Sequence, residues 1–154
     1  MRNKKKQLII EQVDKKLIGF RMAGDVIVPE KGWLNTIRTS LNMTLRQLGS
    51  KLNISAQSVK ELEEREASGA ITLKTLKEAG KELDLKLVYG FIPKDGSLEK
   101  MIENRAMEIA RKIVLRTSNS MKLEDQENTA QRIEKAIQEK TTEIKEELPK
   151  YLWE

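Results

Sequence analysis

Two helical apolar stripes separated by only a few residues constrain this chain more than any other feature. From Thr44 it reads Thr-Leu-Arg-Gln-Leu-Gly-Ser-Lys-Leu-Asn-Ile-Ser-Ala-Gln-Ser-Val-Lys-Glu-Leu-Glu, ending at Glu63. Leu45, Leu48 and Leu52 recur at helical spacing behind Thr44, a residue type that caps helix N-termini well. Asn53 tolerates the left-handed conformation that a sharp turn needs, and Ser55 caps a second helix carrying Val59 and Leu62. Gly49 lets the two helices cross closely, and Ile54, Val59 and Leu62 pack the second against the first.

Flanking segments extend the pattern into four short helices between residues 31 and 83. Trp33, Leu34, Ile37 and Leu41 form the stripe of a helix ending near Asn42, with Trp33 read as core. Gly69 closes the helix begun at Ser55, and Thr72 opens another with Leu73, Leu76, Ala79 and Leu83 facing inward. Ahead of them, Leu8, Ile9, Val13, Leu17 and Phe20 space out an amphipathic helix from Lys4 to about Met22, and residues 23–30 read as a connector.

Beyond residue 84 the period changes. Leu85, Leu87, Tyr89 and Phe91 alternate among β-branched and aromatic neighbours, which predicts one short strand up to Pro93, with the aromatics inside. Ser97 then opens a helix to about Arg116, and another is expected from about Lys122 to Leu148, before Pro149. The expected fold class is all-α: a helix-turn-helix core with an N-terminal helix, that one strand and a C-terminal helical hairpin. The expected division is 1–30 for the N-terminal helix and connector, 31–93 for the core with its strand, and 94–154 for a helical region that joins a second subunit or a partner.

Composition removes whole classes of chemistry. The 154 residues include no Cys and no His, so disulfides, the usual zinc sites, thiol nucleophiles and imidazole acid–base catalysis are excluded together. No Gly-rich loop or metal-ligand set defines a catalytic site or a cofactor, and the carboxylate pairs Glu63-Glu64 and Glu146-Glu147 read as helix faces. The apolar run Leu8–Ile10 is too short for a membrane span or signal peptide, which makes a soluble cytoplasmic protein without a membrane partner the expectation. Lys and Arg number 29 against 24 Asp and Glu, a net of +5, and residues 1–95 alone carry +6, which favours a polyanionic partner.

On the second helix of the pair, Ala56, Gln57, Lys60 and Glu61 occupy an outward polar face able to enter a DNA major groove, which admits one helix. Gln suits an adenine edge, Lys a guanine or a phosphate, and Glu the amino group of cytosine. Thr44 at a helix N-terminus, Lys51, Ser55 and Ser58 are the expected phosphate contacts. The acidic cluster Glu61, Glu63, Glu64 and Glu66 keeps open a tri-helical module that binds protein instead. Lys4, Lys5 and Lys6 read as a solvated end ahead of a phosphate-touching arm.

Residues 33–83 resemble the phage-repressor-like helix-turn-helix family of xenobiotic-response-element regulators. That resemblance implies base reading at Ala56 and Gln57, with Lys60 and Glu61 one turn later. It implies phosphate anchoring near Thr44 and a structural pair of Arg38 with Glu63. Lys31-Gly32-Trp33, Met43-Thr44-Leu45, Ile71-Thr72-Leu73-Lys74-Thr75-Leu76, Leu87-Val88-Tyr89, Pro93-Lys94-Asp95-Gly96-Ser97-Leu98 and Met121-Lys122-Leu123-Glu124-Asp125-Gln126 extend the likeness to almost the full chain. Together they resemble the "mobile mystery protein A" family. What that implies is an autorepressing, antitoxin-like regulator, encoded beside a Fic-domain protein, that binds double-stranded DNA as a homodimer. The alternative is a neutraliser whose residues 97–154 wrap the Fic-type partner while the helix-turn-helix is secondary. Ser120 and Glu124 resemble in spacing the inhibitory pattern of Fic regulators, although Asp125 departs from it, and the plainer reading is a cap on the last helix.

Overall fold

Every element of the computed structural model, which describes residues 4–121 and 129–154, is helical. Seven α-helices run α1 (Lys4–Leu17), α2 (Trp33–Ser40), α3 (Leu45–Leu52), α4 (Ala56–Ser68), α5 (Leu73–Glu82), α6 (Leu98–Met121) and α7 (Thr129–Glu147). Two 3₁₀ helices, Ile18–Asp25 and Lys150–Trp153, complete the set. No helix among the described residues is long and apolar enough to cross a membrane.

The chain divides into two compact units, and the division is not sequential. One is Met22–Gly90; the other joins Met1–Arg21 to Phe91–Glu154. The N-terminal helix therefore belongs with the C-terminal region rather than with the helices that follow it.

In the unit Met22–Gly90, Leu34, Leu48, Val59, Leu62, Ala79 and Leu83 form the core, one or two from each of α2 to α5 and the end of the last. Local chemistry sets the helix ends. Thr44 caps α3 in a reciprocal box: its hydroxyl accepts from the Gln47 amide at 3.0 Å, and the Gln47 side chain accepts from the Thr44 amide at 2.9 Å. Asn53 terminates α3 in the left-handed region at φ 57°, and Gly69 ends α4 at φ 83°.

In the discontinuous unit, α6 and α7 pack around Ile102, Ala106, Ala110, Ile137 and Ile144, with Leu152 of the terminal 3₁₀ helix fully buried. Arg105 fixes that terminus by donating to the Leu152 carbonyl at 2.7 Å and the Glu154 carbonyl at 2.6 Å. Helix α1 joins through Asp14, whose carboxylate accepts from the first amides of α6, Leu98 at 2.8 Å and Glu99 at 3.2 Å, adding to the cap from Ser97. Of the stripe expected on α1, Leu8 and Ile9 are half exposed. The side that packs carries Ile10, Val13 and Leu17, because Asp14 rotates the helix to reach the start of α6.

The strand expected over 85–93 does not form. Among the described residues there is no strand at all, and the amides of residues 86–92 make no backbone hydrogen bond beyond the Leu85 amide bonding the Gly80 carbonyl. A strand draws its stability from a neighbouring ladder, and every long segment of this chain spends its backbone groups inside helices. Val88, Tyr89 and Phe91 are consequently 66%, 63% and 82% exposed rather than inside. Trp33, read as core, is also exposed to 38%.

Candidate nucleic-acid interface

The close approach of α3 and α4 rests on Gly49. A Cβ on that residue would lie 2.6 Å from the Ile54 carbonyl oxygen and 3.3 Å from the Ser55 carbonyl carbon, both backbone atoms that cannot turn aside. The Ile54 amide returns to the Gly49 carbonyl at 2.9 Å, so the turn closes with its polar groups paired. Ser55 then starts α4, its hydroxyl accepting from the Ser58 amide at 3.0 Å and donating to the Ser58 hydroxyl at 2.9 Å.

With Val59, Leu62 and Glu63 turned inward, helical periodicity sets Gln57, Lys60, Glu61 and Glu64 together on the solvent side. Gln57, Lys60 and Glu61 are exposed, while Ala56 sits half-buried at the shoulder. Glu64 was not among the residues expected on this face, although its spacing of seven from Gln57 and four from Lys60 carries the signal. It makes the second turn of the face acidic and leaves the first turn neutral to basic.

Thr44 and Ser55 use their hydroxyl oxygens as acceptors within caps, and Ser58 keeps its own hydroxyl hydrogen free to donate outward. Lys51 is exposed and lines a shallow hollow with Leu41, Asn42, Met43, Gln47 and Ser50. Arg46, in the first turn of α3, is an exposed cation that sequence reasoning passed over.

Arg38 and Glu63 sit beneath this face, 8% and 4% exposed. The guanidinium donates through Nε to Glu63 Oε2 at 2.7 Å and through Nη2 to Oε1 at 2.9 Å, while Nη1 reaches the Met43 carbonyl at 2.7 Å. Hydrogen bonding to Glu63 raises the Arg38 pKa above its ordinary value against the opposing effect of burial, so the pair is fully charged at every working pH. Asn35 donates to Glu63 Oε1 at 2.9 Å, which occupies that carboxylate further.

Glu66 is spent in the same way. Its two oxygens accept from the Trp33 and Leu34 amides, each at 2.8 Å, and so cap α2 from α4 across 32 residues or more. A cap of this kind contributes about 1 kcal/mol. Holding the Trp33 amide at the start of α2 keeps its side chain at the rim. Two of the four carboxylates in the acidic cluster are thus internal, and Glu61 and Glu64 remain to solvent.

Among the described residues no group of His, Cys, Asp or Glu has the makings of a metal site. Glu124 and the Ser120 side chain lie outside the described residues. No protein family, curated protein or solved structure matches the chain.

Proposed function

We propose that the protein is a sequence-specific DNA-binding regulator of the phage-repressor-like helix-turn-helix type, a binding protein rather than an enzyme. Helix α4 reads bases and α3 supports it. The observation that carries this reading is the exposed Gln57–Lys60–Glu61 face, presented by a capped helix whose neighbour crosses it at a glycine. Gln57 and Lys60 face the bases, and the N-terminal turns of α3 and α4 supply amide and hydroxyl donors for phosphates. The protein acts as a cytoplasmic homodimer, since two recognition helices about 34 Å apart on a palindrome give an affinity that one small unit does not reach. In the antitoxin-like setting implied by the likeness to mobile mystery protein A, it represses its own operon.

Electrophoretic mobility shift against the DNA upstream of its own gene tests the proposal. The double variant Gln57→Ala, Lys60→Ala is expected to bind that DNA roughly 10- to 100-fold more weakly, at about 1–3 kcal/mol per good base contact. Equal shifts by both proteins, or no shift by the wild type at low salt, sink the reading.

One observation favours a second role. Glu61 and Glu64 stand on the same face as Gln57 and Lys60, an acidic turn that repels phosphate but suits a basic protein surface. In this reading residues 97–154 hold a Fic-type toxin, with Ser120 and Glu124 as the inhibitory pair. Pull-down of the neighbouring gene's product by the full chain is the check: the toxin co-purifies, and substituting exposed residues of α6 and α7 releases it. Retention by those variants counts against this surface.

A further inference from the structure

Packing sorts the charges of α1 onto two sides. Ile10 packs against the α6–α7 core, and Val13 and Leu17 are half-buried with it. Both carboxylates of the helix turn the same way. Asp14 caps α6, and Glu11 lines a small hollow with Lys6, Glu99, Ile102 and Lys145. Lys4, Lys5, Lys15 and Lys16 are exposed, and none of them forms an ion pair among the described residues. Lys5 and Lys16 are eleven residues apart, close to three full turns, so they fall on one line along the helix about 16 Å apart. Lys4 and Lys15 repeat the relation beside them.

Regional charge points the same way. The unit Met22–Gly90 holds ten basic and nine acidic residues, a net of only +1, whereas residues 1–21 hold seven basic and two acidic, a net of +5. The cationic surface of the N-terminal half is therefore on α1, not on the helices proposed to read bases.

We propose that the outer face of α1 is a second, sequence-independent DNA contact in which Lys4, Lys5, Lys15 and Lys16 pair with backbone phosphates. This rests on the DNA-binding reading above and assigns to α1 most of its salt-dependent affinity. Complementarity to a polyanion selects the occupant: four cations with no carboxylate among them face a duplex that carries one negative charge per ~1.7 Å of axis. A bilayer fits less well, because interfacial helices bury a broad apolar face, and the apolar side of α1 is turned to α6. Only Leu8 and Ile9 interrupt the lysines.

The test is fluorescence anisotropy of the full chain on a labelled duplex carrying its upstream DNA, and on a scrambled duplex of equal length. It compares the wild type with a variant in which Lys4, Lys5, Lys15 and Lys16 are Gln, and with one in which they are Arg. Gln matches Lys in helix propensity, and circular dichroism checks that the fold is kept. Between about 50 and 200 mM salt, the Gln variant is expected to lose about 0.9 from the slope of log affinity against log salt for each contact removed. That loss is about tenfold in affinity per contact near 0.1 M salt, equal on both duplexes, and the Arg variant retains wild-type behaviour. A wild-type slope in the Gln variant overturns the proposal and leaves base reading by α4 standing. Failure of the wild type to bind either duplex overturns both. Unchanged DNA binding with lost sedimentation on phosphatidylserine vesicles overturns it in favour of a lipid surface.

Discussion

Glu63→Ala is expected to cost about 3–5 kcal/mol of stability, a large share of the roughly 5–15 kcal/mol that holds a small domain together. The substitution removes both acceptors of the Arg38 guanidinium, which is 8% exposed and reaches no other carboxylate within bonding distance, and it also strands the Asn35 amide. An uncompensated buried cation is far more costly than a missing pair. The double variant Arg38→Met, Glu63→Leu is therefore expected to recover most of the loss. Urea unfolding followed by circular dichroism measures both. A single variant within about 1 kcal/mol of wild type, or a double variant no better than the single, contradicts this account.

Gly49→Ala separates two opposing effects. On helix propensity alone Ala stabilises by about 1 kcal/mol. The contact decides otherwise, because a Cβ 2.6 Å from the Ile54 carbonyl oxygen meets backbone, and relief requires α3 and α4 to move apart. Shifts of that kind in a packed core cost about 1–3 kcal/mol, so the net change is expected to be destabilising and larger for Gly49→Val. A raised unfolding midpoint for Gly49→Ala would refute the close crossing. Since the face bearing Gln57 and Lys60 is positioned by this crossing, DNA affinity is expected to fall with stability.

What could be read from the sequence was local. Thr44, Ser55, Thr72, Asn53 and Gly69 act on amides within a few residues of themselves, and each stands where its side chain or backbone freedom predicts. The burial of Leu34, Leu48, Val59 and Leu62 follows from period alone. Long-range choices were not legible. Glu66 capping α2 across more than 30 residues looks in sequence like one more surface carboxylate, and Asp14 capping α6 across 84 looks the same. The alternation from Leu85 to Phe91 is a real β pattern, but a pattern cannot supply the neighbouring strand that would turn it into structure. For the candidate interface, periodicity placed Gln57, Lys60 and Glu61 outward, whereas the basic charge credited to that region sits mostly on α1.

The discontinuous unit imposes an order on synthesis. Its first helix emerges from the ribosome long before α6, and no residue of α1 is fully buried even in the finished fold. The intervening unit, by contrast, has every residue of its core once Leu83 is made. At about 5–20 residues per second, the nascent chain spends several seconds with a complete middle and an unpartnered beginning. Folding the middle first shortens the loop that Asp14 must close to reach Leu98 and lowers its entropic cost. During that interval the lysines of α1 are tethered to the mRNA-bearing ribosome, a polyanion encountered before any operator.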